Sequence, residues 1–382
     1  MLRRRLEFIS DIVRQADLVL LGLCCAATVY GLVMISSATN YMETRKYVIV
    51  QAGAAVIGVV LYFLVSMVDL TEIVKKWKWI FAFNIGFILL LKTPLGFESN
   101  GNLAWLHIPG FPVNIQPAEI VKMTFILLLA KQLVWLKENR DLKSVPSVAM
   151  LGGHLLLMIG LYYAISSDMG SALVYVFAFV CMAFVAGVAT RWFVLGFSGI
   201  GIGFFLLWQE EKIPEYMMDR FRILFDHDLD PLGVGWHQTR SLLTLGGGKL
   251  TGQGLFHGTQ TQSEFSQSLP FRHTDFIFAA IGEELGMLGC LLVIVLLSAI
   301  IIRCLVTASR ARTRMESYVC VGMASMLIFQ TLSNIGMCLF VLPVIGLTLP
   351  FFSYGGSSIV TLFISMGMVS SIHGRTRPEW LK

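Results

Sequence analysis

Charged side chains are what this chain of 382 residues most lacks: they make up 14% of it, while 56% is hydrophobic. An ordinary soluble domain carries about a quarter charged residues, so the deficit excludes that class. The apolar load also excludes a disordered chain. Cysteine is sparse as well. The seven present (Cys24, Cys25, Cys181, Cys290, Cys304, Cys320 and Cys338) sit inside long apolar runs or at their ends, which rules out an extracellular disulfide scaffold. Adjacent Cys24 and Cys25 read as apolar filler rather than metal ligands. The seven histidines show no H-x-x-x-H or histidine/carboxylate spacing, so no dedicated zinc site is expected. Basic residues leave a net charge of only +5 and are dispersed, which argues against nucleic acid as a partner.

What fills the chain instead is apolar sequence of membrane-spanning length. About 20 helical residues cross a hydrocarbon core, and ten runs of that kind are present, at roughly 17–37, 46–68, 77–93, 116–136, 145–165, 169–188, 190–209, 276–303, 316–342 and 351–372. They are apolar on all faces, unlike the alternating ten-residue segments of a transmembrane barrel. The expected fold is therefore an all-α polytopic membrane protein with ten transmembrane helices, forming a single domain over 1–382. Lys and Arg concentrate in alternate connections, which the positive-inside rule assigns to the cytoplasm together with both termini; the first run is read as a retained span rather than a cleaved signal peptide. Two outer loops then carry most of the polar content. One covers 94–115, and the other, 210–274, is long enough to suggest function. The longer loop is expected to pack over the bundle as a partly helical lid. Short turns at 219–224 and 241–245 would precede a glycine hinge.

Ionisable residues at membrane depth are costly and therefore informative. Glu119 and Lys122, three residues apart in QPAEIVK, share a helix face. They either neutralise one another or shape the floor of a polar cavity. Asp168 in SSDMGSALVY is placed to cap a helix. Asp275, in LPFRHTDFIFAAIGEELG, offers a cap or a catalytic carboxylate. The second role gains weight because Arg272 and His273 stand beside it at a membrane–water boundary. Glu283 and Glu284 follow two turns deeper, and one of them is expected to face a polar interior. The stretch LGGGKLTGQG lacks a glycine at its first P-loop position, where Leu243 stands, and Leu250 rather than Ser or Thr follows Lys249. A flexible turn or a looser pyrophosphate-binding loop helped by Lys249 and Arg240 both remain open. Gly199 with Gly203, and Gly282 with Gly286, have the spacing of close helix packing.

The order QPAEIVK, SDMGSALVY, DRFRILFDHDLDPLGVGWHQTRSL, LGGGKLTGQGL, LPFRHTDFIFAAIGEELG and NIGMCLFVLPVIGLTLPFFSYGGSS resembles the shape, elongation, division and sporulation (SEDS) family, from about Asp17 to His373. GTQ at 258–260 is more similar to its elongation branch, RodA, than to its division branch, FtsW. The resemblance implies a peptidoglycan glycosyltransferase that polymerises lipid II outside the bacterial cytoplasmic membrane. It further implies a class B penicillin-binding transpeptidase as partner and a divalent cation, Mg or Mn, with no organic cofactor. Its essential acidic residue falls on Asp275, its loop tryptophan on Trp105 and its carboxylate–lysine pair on Glu119 and Lys122. Two departures stand out. Phe271 replaces the Glu of LPExHTDFIF after a three-residue insertion (Ser266, Gln267, Ser268), and Arg240 stands where Gln is common.

The chemistry expected is attack of an acceptor hydroxyl on a lipid-linked donor. Asp275 would serve as general base. Arg220, Arg222, Arg240, Lys249 or Arg272 would supply countercharge to the departing pyrophosphate, with His273 also at the substrate. A lipid II flippase and a non-catalytic scaffold are the rivals. A carrier's charges belong near the midplane, whereas these cluster at the outer boundary.

Overall fold

The computed structural model describes residues 15–99, 102–110, 113–210, 218–219, 222–224, 234–265 and 267–376. It is a helical bundle: α1 (Leu18–Ala38), α2 (Lys46–Ser66), α3 (Leu70–Lys75), α4 (Trp77–Leu89), a hairpin of β1 (Gly96–Ser99) and β2 (Asn102–Leu106), α5 (Pro117–Asn139), α6 (Val145–Ser166), α7 (Met169–Ala186), α8 (Thr190–Gln209), α9 (Val234–Gly247), α10 (Ile277–Arg310), α11 (Arg314–Cys338) and α12 (Gly356–Thr376). Eight of these, namely α1, α2, α6, α7, α8, α10, α11 and α12, are long and apolar enough to cross a membrane. The other two expected spans are helical but fall short. α4 has only 13 residues before a 3-10 turn, and α5 carries Glu119, Lys122, Lys131, Lys137 and Glu138.

The bundle centres on α11 and α12, the most enclosed of the spanning helices. α2 packs on α12, while α7 and α10 pack on α11 and α1 on α10. α8 is the opposite case: none of its residues is buried, so its apolar surface is left for lipid.

The two ends of the bundle are tied differently. At the end carrying residues 15 and 374, the carboxylate of Asp17 accepts from Leu20 N at the start of α1 and from Arg303 of α10, Nε to Oδ2 at 2.7 Å and Nη2 to Oδ1 at 3.0 Å. The Asp17 amide donates to Ser370 Oγ of α12 at 2.8 Å, and Tyr62 of α2 donates its hydroxyl to the Asp17 carbonyl at 2.7 Å. Four helices therefore converge on one residue. Burial works against its charge, but the Arg303 bond and nearby His373 hold the Asp17 carboxyl below the usual range.

At the far end α9 lies across α10 and the tip of α11, where Gln238 donates to the carbonyls of Met337 and Leu342 and Ser241 to that of Cys338. The glycines after α9 do not form the expected hinge. α10 breaks at Gly286 (φ 67°), and LGGGKLTGQG docks into the break. Gln253 and Gly254 donate to the carbonyls of Glu283 and Glu284, and Met287 and Leu288 to those of Lys249 and Leu250. A broken helix leaves backbone groups unpaired, and this loop satisfies them. Only glycine allows so close an approach: a Cβ at Gly248 would collide with the Gly282 carbonyl, and one at Gly252 (φ 81°) with that of Glu284.

The last two expected spans also shift, because 339–355 is not helical. Pro343 and Pro350 bring no amide hydrogen to a helix, and Phe340 and Phe351 take positive φ. Side chains satisfy this segment's backbone. Gln51 of α2 brackets it, donating to the Ser353 carbonyl at 3.1 Å and accepting from Gly355 N at 3.0 Å.

Candidate active site

The LPFFSYGG connector and the end of α11 hold the HTD turn by its carbonyls. Tyr354 N donates to His273 O at 2.9 Å, Ser353 Oγ to Thr274 O at 2.6 Å and Asn334 Nδ2 to Asp275 O at 2.8 Å. Two segments about 80 residues apart are specific to one another for that reason. With its backbone fixed, Asp275 does not take the capping role open to it in the sequence. α10 starts at Ile277, its N-cap is Phe276, and no side chain caps it. Among the described residues no hydrogen-bond donor reaches the Asp275 carboxylate. Burial, and secondarily the charge of Asp168, raise its pKa to about 6.

Asp168 does cap its helix, accepting from Ser171 N at 3.1 Å. It also accepts from Tyr162 OH at 3.0 Å and from Gln116 Nε2 at 3.4 Å, which ties α6 and the start of α5 to α7. One turn below Gln116, Lys122 Nζ meets Glu119 Oε1 at 2.6 Å with both side chains buried, so the expected pair is present.

The glutamates of GEELG both face inward. Glu283 accepts from Gln260 N, Thr261 N and Thr261 Oγ at 2.7–2.8 Å. Glu284 accepts from Ser37 of α1 and from Gln262 Nε2. Arg272 is buried too. It donates to the carbonyls of Gln260 (3.1 Å), Thr261 and Ser263 (3.0 Å) and lies 3.7 Å from the Tyr41 ring centre. Its guanidinium holds the loop through these carbonyls.

The remaining basic candidates are spread out. Arg240 stacks on Trp236 at 4.1 Å, and Lys249 is exposed beside the helix break at φ 49°. Arg222 is exposed and pairs with Asp219 at 3.5 Å, and Arg220 lies outside the described residues. Trp105, on β2 opposite Phe97, sits in a hairpin against α5 and α6.

A cavity of about 430 Å³ opens next to the HTD turn. His273 lines it and stands 5.0 Å from Tyr47, with its Nδ1 buried and unpartnered; burial and then the charge of Arg272 lower its pKa to about 4. Tyr41, Trp236 and His237 also line the cavity, and the sequence reading did not single them out. The available signal was the cluster of aromatic and imidazole rings in GWHQTRSL within an otherwise polar loop. No group of three His, Cys, Asp or Glu side chains that could hold a metal occurs among the described residues.

A bundle of membrane-length helices with a fixed carboxylate free of capping duty at one end and an aromatic cavity beside it defines a polytopic membrane protein with a site at one end of its bundle. The chain belongs to the FtsW/RodA/SpoVE family of cell cycle proteins, whose family model matches residues 17–378. It is 34% identical to the peptidoglycan glycosyltransferase MrdB of Escherichia coli K12, over 94% of this chain and 93% of that protein. It is 29% identical to a probable peptidoglycan glycosyltransferase FtsW of Trichlorobacter lovleyi, over 94% and 93%. Among solved structures, a chain described under the structural coordination of polymerization and crosslinking by a peptidoglycan synthase complex matches with a TM-score of 0.80 and 28% identity, covering 95% of this chain and 99% of that one. The rod shape determining protein RodA of Thermus thermophilus matches at 0.67 and 26%, covering 95% and 98%.

Proposed function

We propose that Asp275 is the general base of a glycosyl transfer that extends peptidoglycan at the outer face of the bacterial cytoplasmic membrane. The activity class follows from the family: the chain is a peptidoglycan glycosyltransferase of cell-wall synthesis. The observation that carries the role of Asp275 is a carboxylate free of capping duty, held by its backbone and raised to about 6. Such a base is still ionised at neutral pH and is stronger than an ordinary carboxylate. It would accept the proton of the 4-hydroxyl of a GlcNAc acceptor as that oxygen attacks the donor's anomeric carbon, an effect of about 10² to 10⁴ in rate. The donor's bond to undecaprenyl pyrophosphate breaks in the same step. Arg240 and Lys249 are the described basic groups in the long loop that remain to meet the leaving charge, with Arg220 and Arg222 further along it.

The same reading assigns ten spans, counting α4 and α5, with the termini inside and residues 210–274 outside. A divalent cation, Mg²⁺ or Mn²⁺, fits as one shared with the substrate's phosphates rather than caged by protein. Hard cations bind through one or two carboxylates plus phosphates, and Asp168, whose charge is felt at Asp275, is the oxygen donor that would hold it here. When bound, it would supply countercharge to the pyrophosphate. A class B penicillin-binding transpeptidase is the proposed partner, and the TM-score of 0.80 to a chain described under a peptidoglycan synthase complex supports it. Purified protein with labelled lipid II tests the whole reading. Glycan chains made without a partner's glycosyltransferase domain are expected. Lipid II transfer across vesicles without polymer would instead identify a flippase, and neither activity would indicate a scaffold.

A further inference from the structure

The end of the bundle that carries Asp17 also carries a patch of lysines and indoles. Two contacts place the corner between α3 and α4 there: Ser371 Oγ of α12 donates to the Val68 carbonyl at 2.6 Å, and Arg375 Nη1 meets Asp69 Oδ2 at 2.5 Å. Asp69 caps α3, α3 ends at Lys75, and α4 begins at Trp77 with Lys76 alone between them. The corner therefore gathers Lys75, Lys76 and Lys78 within four residues, all of them exposed. Lys131 of α5 joins them. Its Nζ donates to the Val74 carbonyl at 3.3 Å and lies 5.3 Å from the centre of the Trp77 ring, while Lys78 Nζ lies 5.8 Å from the same ring. Two ammonium groups thus converge on one indole, which attracts both. The carboxylates of this corner, Asp69 and Glu72, are matched by Arg375 and Lys75, so Lys76, Lys78 and Lys131 set the sign of the patch. Residues 1–14 and 377–382 are net basic in sequence as well.

Helix α4 decides what kind of anion fits. Trp79 is 78% exposed, and Phe83, one turn further along the same face, is 45% exposed and stacks on Phe87 at 5.1 Å. The face that starts at the lysines therefore runs on as apolar surface. An acidic soluble protein would meet only its first turn, whereas a lipid offers a phosphate to the lysines and hydrocarbon to the phenylalanines. Indole rings settle at headgroup level, and clustered lysines beside a membrane helix attract anionic lipids. We propose that this corner, together with Lys131, binds the headgroup of an anionic diacyl phospholipid. Lys76, Lys78 and Lys131 surround its phosphate, Trp77 and Trp79 stand at the level of its ester groups, and its chains follow Phe83. The site lies at the end of the bundle opposite the HTD turn and is independent of the role of Asp275.

Native mass spectrometry of the full chain in detergent tests this, with dioleoyl phosphatidylglycerol as the anionic probe and dioleoyl phosphatidylcholine as the neutral one. Wild type is expected to hold phosphatidylglycerol at least about fivefold more tightly, the effect of one lysine at an anionic headgroup. Lys76→Gln combined with Lys78→Gln should weaken phosphatidylglycerol binding about tenfold or more and leave phosphatidylcholine unchanged. Lys131→Gln should weaken it about fivefold; should that variant melt early, the exposed pair carries the test. Lys92→Gln, at the other end of α4, is the control and should bind like wild type. Equal retention of the two lipids by wild type overturns the proposal. So does a folded Lys76→Gln, Lys78→Gln variant with undiminished preference, or an equal loss in Lys92→Gln. Displacement of phosphatidylglycerol by excess inorganic phosphate would overturn it too, because the site would then take a soluble anion rather than a lipid.

Discussion

Glu283 and Arg272 grip the same two residues from opposite sides. The carboxylate takes the amide hydrogens of Gln260 and Thr261, and the guanidinium takes their carbonyl oxygens. The peptide unit between Gln260 and Thr261 stands between the charges, with its N–H toward the anion and its carbonyl toward the cation. The clamp fixes the residue that leads into the HTD turn. Glu283→Gln, which keeps one acceptor and loses the charge, should destabilise the protein by about 2 kcal/mol, the worth of a charge-assisted hydrogen bond. Hydrogen exchange at 258–263 should quicken at the same time. Unchanged melting and exchange would mean that the clamp does not hold the loop.

Asp275→Asn should abolish polymerisation yet raise thermal stability at pH 7.5. The folded carboxyl titrates near 6 and an unfolded one near 3.8, so the folded state binds more protons between those values. Stability from this group is full below about 3.8, falls as pH rises toward 6, and stays reduced above it, by on the order of 2 kcal/mol. The amide removes that cost. Wild-type kcat should rise with pH through about 6. A pH-independent rate, or activity in the variant within about twofold of wild type, would rule out the base assignment.

Breaking the Glu119–Lys122 pair from one side should cost more than removing it whole. A single Glu119→Gln or Lys122→Met strands a buried charge at a cost of about 3 kcal/mol or more, whereas the double variant strands none. Thermal shifts on all three decide it, and additive losses would show the residues to be independent.

Gly252→Ala should be among the most damaging glycine substitutions. It meets a left-handed backbone and the Glu284 carbonyl together, so a loss of about 3 kcal/mol or more is expected. Gly199→Ala, with open space around it, is the control and should melt like wild type. Equal melting of the two variants would mean that the loop is not seated in the helix break.

Hydropathy made most of the helices legible, because lipid imposes length and composition on each span locally. At α4 the apolar sequence continues past Leu89 into a 3-10 turn, Leu90–Lys92. Asp168 and the Glu119–Lys122 pair were legible for a similar reason, since capping and i,i+3 pairing act within one turn. Arg272 and Asp275 were not legible in the same way. Their neighbours in sequence are one another, but their partners in space are Gln260, Ser263 and Asn334. The role of LGGGKLTGQG was hidden as well, because only the approach of a second backbone reveals what those glycines are for.

The junction at Asp17 bears on how the chain is made. Its partners include Ser370, which lies 353 residues later. At ribosomal speeds of about 5 to 20 residues per second, α1 waits roughly 20 to 70 seconds for α12. Until then the Asp17 backbone amide lacks the acceptor that the finished bundle supplies. Completion of synthesis is thereby written into the first turn of α1.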